Sequence, residues 1–399
     1  VPRGAHPDRP LLSRFPLAGD VPGRGAGRGG VASRSWLRQD LGLLIGAAGT
    51  SVVGALLVWS ATNEAAGTAY LVRHLLNTAI GIALAVAVSR LGQHGLRLVA
   101  PWLYGAAVLG LVAVLTPLGL TVNGSRSWIP VAAGFTLQPA EFAKLGLALV
   151  LGFVFADRWE RGVAPGGRDV AVGWALAAVP VVLILAQPDL GSAVVLGALA
   201  YVVIAVAGAS RRWVVGIAAL AVGLLVAALT TPLLSDYQRD RLLAFADPSA
   251  DPQGIGYQTR QVRLAIGSGG WTGQGFMEGR QTQGGFIPFQ LNDFIFSVAG
   301  EELGFLGAAG LLVLLSFIVI RVFVVAGRSR DAFGRFVGVG VGTWLGFQVF
   351  QNVGMNLGVM PVTGLPLPFV SYGGSSMFAS WLAIGVVNAA YAAGQRPRS

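Results

Sequence analysis

The chain has 399 residues, of which 54% are hydrophobic and only 12% are charged. A soluble domain carries about 25% charged residues, so this composition points to a polytopic membrane protein. The absence of cysteine excludes disulfides, thiolate chemistry and Cys-ligated metals. A net charge of +10 would suggest a nucleic-acid partner in a soluble chain. Here the basic residues are read as topological signals, and no nucleic acid is expected. The three histidines, His6, His74 and His94, are scattered, which argues against a His-based metal site or catalytic triad.

Residues 1–36 are rich in Arg, Gly and Pro and lack apolar periodicity, so they read as a disordered leader or tag remnant. The opening VPRGAH resembles the scar of a protease-cleavable tag, and no cleavable signal peptide is expected. Residues 37–399 read as one all-α transmembrane domain. Ten apolar runs are long enough to span a bilayer. They lie near 41–61, 69–91, 96–116, 139–156, 170–187, 190–208, 213–234, 294–325, 332–356 and 375–394. With the N-terminus inside, the inner connections carry Arg90, Arg97, Arg158, Arg161, Arg211 and Arg212, among others. The short outer connections carry only Arg73 and Arg126. That alternation follows the positive-inside rule and places both termini in the cytoplasm.

A large outer loop, residues 235–292, separates the seventh run from the eighth, and a loop of this length is usually functional. Its first part, SDYQRDRLLAFADPSADP, is expected to form a short surface helix. The Gly-rich GSGGWTGQG at 267–275 is not a phosphate-binding loop, because no Gly-Lys-Ser/Thr follows it. Residues 361–376, PVTGLPLPFVSYGGSS, are irregular, so they are expected to line a protein cavity rather than face lipid. No internal repeat suggests paired transporter halves.

On this topology Arg126, Glu141, Lys144, Asp189 and Asp293 gather at the outer leaflet. Ionisable groups at membrane depth are functional candidates by default. Each has a plainer role. Glu141 and Lys144 are three apart, the spacing of a self-satisfied helix pair; Asp189 suits a helix cap; Arg126 suits an interfacial anchor. Glu301 and Glu302 are expected to bond neighbouring backbone. Asp293 is the expected general base, since a carboxylate within reach of a hydroxyl can deprotonate it. Arg and Lys suit a diphosphate, and a divalent cation such as Mg or Mn could share that role.

The strings QPAEFAK, QPDLGSA, GYQTRQ…AIGSGG, NDFIFSVAGEELG and PVTGLPLPFVSYGGSS resemble the SEDS family (shape, elongation, division and sporulation). The last string is more like the elongation branch, RodA, than the division branch, FtsW. The resemblance implies a peptidoglycan glycosyltransferase of the bacterial inner membrane that polymerises lipid II, the undecaprenyl-diphosphate-linked disaccharide pentapeptide. It implies an inverting reaction with Asp293 as base, substrate binding by Arg126, Glu141, Lys144, Asp189, Gln258 and Ser371, and a class B penicillin-binding protein as transpeptidase partner. The family often has Pro-Glu ahead of its aspartate and Thr immediately before it, where this chain has Pro288-Phe289 and Asn292. The missing Glu weakens the case for a metal more than the case for the base. The alternatives are a lipid II flippase, a division-type polymerase and a non-catalytic scaffold.

Overall fold

The computed structural model describes residues 39–122, 125–131, 135–230, 241, 245 and 254–394. The leader and most of the first part of the long loop, with its expected surface helix, lie outside the described residues. The chain runs α1 (Leu41–Ser60), a short α2 (Asn63–Ala66), α3 (Ala69–Ser89) and α4 (Gly92–Leu115). After a small sheet come α5 (Pro139–Glu160), α6 (Gly167–Leu185), α7 (Leu190–Val206) and α8 (Arg211–Thr230). The long loop contributes α9 (Ile255–Ser268) and the single turn α10 (Arg280–Gln283). The last part holds α11 (Ile295–Glu302), α12 (Gly304–Arg328), α13 (Ala332–Leu357) and α14 (Gly374–Gly394). Among the described residues six helices, α1, α3, α4, α5, α6 and α12, are long and apolar enough to cross a membrane, and α7 is a shorter apolar helix. The protein is a multi-pass membrane protein.

Helix ends follow from local chemistry. Asp40, Asp189 and Asp331 cap α1, α7 and α13 by accepting from Leu43, Ser192 and Gly334 backbone N–H groups. Pro139 opens α5, where its missing N–H is harmless. α5 is the most enclosed of the six, with 83% of its apolar window buried, and it packs against α4, α7 and α13. α14 packs chiefly against α3. In a bilayer such contacts rest on close packing of small residues rather than on exclusion of water, and Ala143, Gly146, Ala148 and Gly152 give α5 that surface. At one end of the bundle Arg97 bridges Glu160 and Asp331, tying α4, α5 and the start of α13 together.

Two expectations need correction. The domain is not wholly helical: β1 (Leu120–Val122), β2 (Ser125–Pro130) and β3 (Thr136–Leu137) form an antiparallel sheet in that order. Its register pairs Leu120 with Trp128 and Ile129 with Leu137. The Asn-Gly dipeptide in TVNGSRSW is the strongest short-range hairpin signal, and three short strands together cap what a bundle leaves open. The eighth apolar run is also not one helix. It breaks at Leu303–Gly304, where Gly304 takes φ +65° and a Cβ would sit 2.2 Å from the Gly273 nitrogen. Only glycine suits both constraints.

The Gly-rich strand of the long loop lies across this break. Gln274 and Gly275 N–H groups donate to the Glu301 and Glu302 carbonyls, and Phe305 N–H donates to the Gly270 carbonyl. The two carboxylates finish the clamp. Glu301 accepts from the backbone N–H of Gln281 at 2.7 Å and from both the N–H and the hydroxyl of Thr282. Glu302 accepts from the Ser60 hydroxyl and the Gln283 amide. These acids hold a loop: Glu301 bonds backbone as expected, but that of the long loop, and Glu302 bonds side chains. Hydrogen bonds to a charged group contribute about 1.5–3 kcal/mol each, so Glu301→Ala is expected to loosen residues 274–283 selectively. Hydrogen exchange should show faster labelling there with α5 and α13 unchanged; equal protection in the variant would refute the clamp.

Candidate active site

Asp293 ends the turn that precedes α11, and its position is set by its own backbone. The Asp293 carbonyl accepts from the side-chain amides of Asn352 at 2.9 Å and Asn356 at 3.1 Å. The Asn352 amide also donates to the Leu365 carbonyl at 2.7 Å. One turn earlier on α13, the Gln348 amide donates to the Pro366 carbonyl at 2.8 Å. Its oxygen accepts from the Lys144 ammonium and the Trp344 indole N–H. Both of those groups only donate, which fixes which way the Gln348 amide faces. Ser371 completes the tie, its hydroxyl donating to the Asn292 carbonyl and accepting from Leu367 N–H. Residues 361–373 are thus held to α13 and to the Asp293 turn, as an irregular segment inside the protein must be.

Two adjoining clefts meet at Asp293. The larger, about 460 Å³, is lined by Arg73, Asn77, Thr136, Tyr372 and Ser375, among others. The smaller, about 200 Å³, is lined by Ser125, Ser127, Asp189, Arg241, Phe289 and Thr363. Trp128, Gln138, Asn292, Asp293 and Gly364 border both. The sheet therefore has a purpose: β2 brings Ser125, Ser127 and Trp128 to the clefts. Gly364, at φ +74°, borders both clefts, and a Cβ there would stand 3.5 Å from Asp293 Oδ2 and 3.7 Å from Arg241 Nη1 and Nη2. Any side chain on that residue would occupy the space between it and these two groups.

The Asp293 carboxyl is held up at about 6, the net of burial, which raises it most, the Arg241 guanidinium, which lowers it, and the Asp189 carboxylate, which raises it. An acid in that range gives up and takes back a proton near neutral pH, the setting wanted in a general base.

Of the residues expected at the site, Asp293 and Asp189 come together on the smaller cleft, although Asp189 also caps α7. The others line neither cleft. Arg126 donates to the Gly119 carbonyl and pins the β1–β2 hairpin. Glu141 and Lys144 are fully enclosed, at 0% exposure, and paired at 2.7 Å. Ser371 is buried as a strut, and Gln258 sits half-buried on α9. Arg241, Arg73, Trp128, Gln138, Asn352 and Asn356 were missed by sequence reasoning. The spacing of Gln348, Asn352 and Asn356, four apart within an apolar run, marks one polar helix stripe and was the available signal. Nothing in the sequence separates Arg241 from the other arginines of its loop.

The electrostatics can be tested by paired substitutions. Arg241→Gln removes the positive neighbour and is expected to raise the pH at which the Asp293 carboxyl ionises. Asp189→Asn, which keeps the helix cap, is expected to lower it. Infrared titration of the purified protein, with Asp293→Asn subtracted, reads both; shifts in the same direction would contradict the arrangement.

Comparisons with known proteins agree with this architecture. The family model described as FTSW_RODA_SPOVE, cell cycle protein, matches residues 39–395. Peptidoglycan glycosyltransferase MrdB of Escherichia coli K12 is 35% identical over 337 residues, covering 84% of this chain and 89% of that protein. A probable peptidoglycan glycosyltransferase FtsW of Geobacter metallireducens is 35% identical over 357 residues, 88% of this chain and 94% of its own. Among solved structures, the Thermus thermophilus rod shape determining protein RodA superposes with a TM-score of 0.67 at 33% identity, covering 91% of this chain and 99% of that one. A chain from a structure on "coordination of polymerization and crosslinking by a peptidoglycan synthase complex" reaches 0.77 at 35% identity, covering 91% of this chain and all of its own. The chain belongs to the FtsW/RodA/SpoVE family of cell cycle proteins, the SEDS family that its motifs resemble.

Proposed function

We propose that this protein is a peptidoglycan glycosyltransferase of the elongation branch, polymerising lipid II into glycan strands. The observation that carries the proposal is the meeting of two clefts at one carboxyl poised near neutrality. Two adjoining clefts suit a reaction between two copies of one lipid-linked sugar. Asp293 takes the proton from the GlcNAc 4-hydroxyl of one molecule. That oxygen bonds to the anomeric carbon of the other molecule's MurNAc. The bond from this carbon to the diphosphate breaks, and the lipid diphosphate leaves with the electron pair. An α-linked donor giving a β-1,4 product needs one inversion, one base and no covalent intermediate.

The departing diphosphate needs cations. Arg241 and Arg73 border the clefts, whereas Arg126 and Lys144 line neither of them. The role expected of the latter pair of cations therefore passes to the former. The first turn of α14, with Ser375 and Ser376 on the larger cleft, adds the partial positive charge of a helix N-terminus. Among the described residues no group of three or more His, Asp or Glu side chains forms a metal cage. The residues present therefore fit a divalent cation only if it arrives with the diphosphate, held by Asp189 and phosphate oxygens, where it would neutralise leaving-group charge.

The same reading proposes ten membrane crossings, counting α11 with α12 as one, in the inner membrane with both termini in the cytoplasm. The cleft residues and the 235–292 loop then lie on the outer side. The arginines near the opposite helix ends, Arg90, Arg158, Arg161 and Arg328 among them, support this orientation. A class B penicillin-binding protein is the proposed partner, supported by the synthase complex that couples polymerisation to crosslinking.

Purified protein given labelled lipid II is expected to make glycan polymer, and Asp293→Asn to make at least 100-fold less. The base must be ionised, so the rate should fall as pH drops through about 6. Lipid translocation without polymer from the native protein would instead favour the flippase.

A further inference from the structure

The turn carrying Asp293 and the segment facing it share an unusual feature. Phe289 adopts φ +57° and Phe369 φ +65°, a left-handed conformation that costs a bulky residue of order 1–3 kcal/mol. Such backbone persists only where its surroundings over-determine it. The amide stripe of α13 holds the two segments that carry these residues. Asn352, at 0% exposure, donates from one nitrogen to both segments at once, to the Asp293 carbonyl and to the Leu365 carbonyl. Asn356 adds a second donor to Asp293, and Gln348 links the Pro366 carbonyl to the enclosed Glu141–Lys144 pair.

We infer that Asn352 is the positioning residue for Asp293, locking the catalytic turn to the 361–373 segment. Glu141 and Lys144 serve the same lock through Gln348 instead of touching substrate. Asn352 acts at a distance from the chemistry. It grips the main chain four residues after Phe289 and four residues before Phe369, so that the backbone of Asp293 is fixed while its side chain borders both clefts. Without it the turn is free to relax from the Phe289 conformation, and the carboxyl gains solvent and loses its aim.

This inference rests on the glycosyltransferase reading above. Its test uses Asn352→Leu, which keeps the branched side-chain shape and removes the donor, and Asn356→Leu, which removes only the second donor. Both are compared with native protein by detergent melting, by lipid II polymerisation across pH and by substrate saturation. Asn352→Leu is expected to lower kcat by 30-fold or more with KM changed less than about threefold. Its acid limb is expected to move to lower pH, because a loosened carboxyl is better solvated. Asn356→Leu should show the same pattern at smaller amplitude. If Asn352→Leu loses activity only in proportion to lost folded protein, with the acid limb unmoved, the residue is merely structural and the inference fails. A native-like kcat in Asn352→Leu would overturn it equally. A native protein that makes no polymer fails the underlying reading first.

Discussion

A row of buried amides on α13 is the interaction on which the site depends. Membrane-embedded backbone that is neither helix nor closed sheet leaves carbonyls that cost several kcal/mol apiece if unpaired. The 289–293 turn and the 361–373 segment present three such carbonyls to the bundle, those of Asp293, Leu365 and Pro366. Gln348 and Asn352 answer all three from one face of a helix. Irregular backbone is thereby stable at this depth, and with it a cleft floor that no packed helix could supply. Gly364 keeps the space beside Asp293 and Arg241 clear, where a Cβ would already be in van der Waals contact with both.

The protein divides its charges into two sets with different work. Asp293, Asp189, Arg241 and Arg73 border open clefts. Glu141, Lys144, Glu301 and Glu302 are enclosed: Lys144 bonds Glu141 and Gln348, and the last two bond the loop that crosses the α11–α12 break. An enclosed ion pair is weak evidence for stability, yet removing one partner costs about 3–5 kcal/mol because the other charge is stranded. Loss of activity on mutating Glu141 or Lys144 is accordingly no sign that either touches substrate. The separation also explains how one acid stays poised near neutrality while others nearby are held in place by dedicated donors.

Much of the frame was legible in the sequence, because bilayer thickness turns hydropathy into helix length. Among the described residues each apolar run contains a helix, the eighth holding two, and six of these helices are long and apolar enough to cross a membrane; Asp293 stood out as a carboxylate where water gives way to hydrocarbon. The failures have definite causes. The β1–β3 sheet is built from strands of two to six residues, too short for periodicity to register, and only the Asn-Gly dipeptide betrayed it. The α11–α12 break lies in an apolar run where composition alone cannot distinguish a glycine that bends from one that packs. Lys144 and Arg126 were credited to the site because chain order places them at the correct end of the bundle. Which way a side chain turns at that end is decided by tertiary contacts, with Glu141 and Gln348 for one and the Gly119 carbonyl for the other. Arg241 was invisible for the converse reason, since only folding brings its guanidinium beside Gly364.

The most direct check is an experimental structure of the native protein bound to an unreactive lipid-linked disaccharide diphosphate. The account predicts a sugar hydroxyl within hydrogen-bond reach of the Asp293 carboxylate, about 3 Å, and the diphosphate against Arg241 or Arg73, with Lys144 still enclosed. A ligand seated away from both clefts, or one whose diphosphate is held by Lys144 while Asp293 points into the bundle, would contradict it.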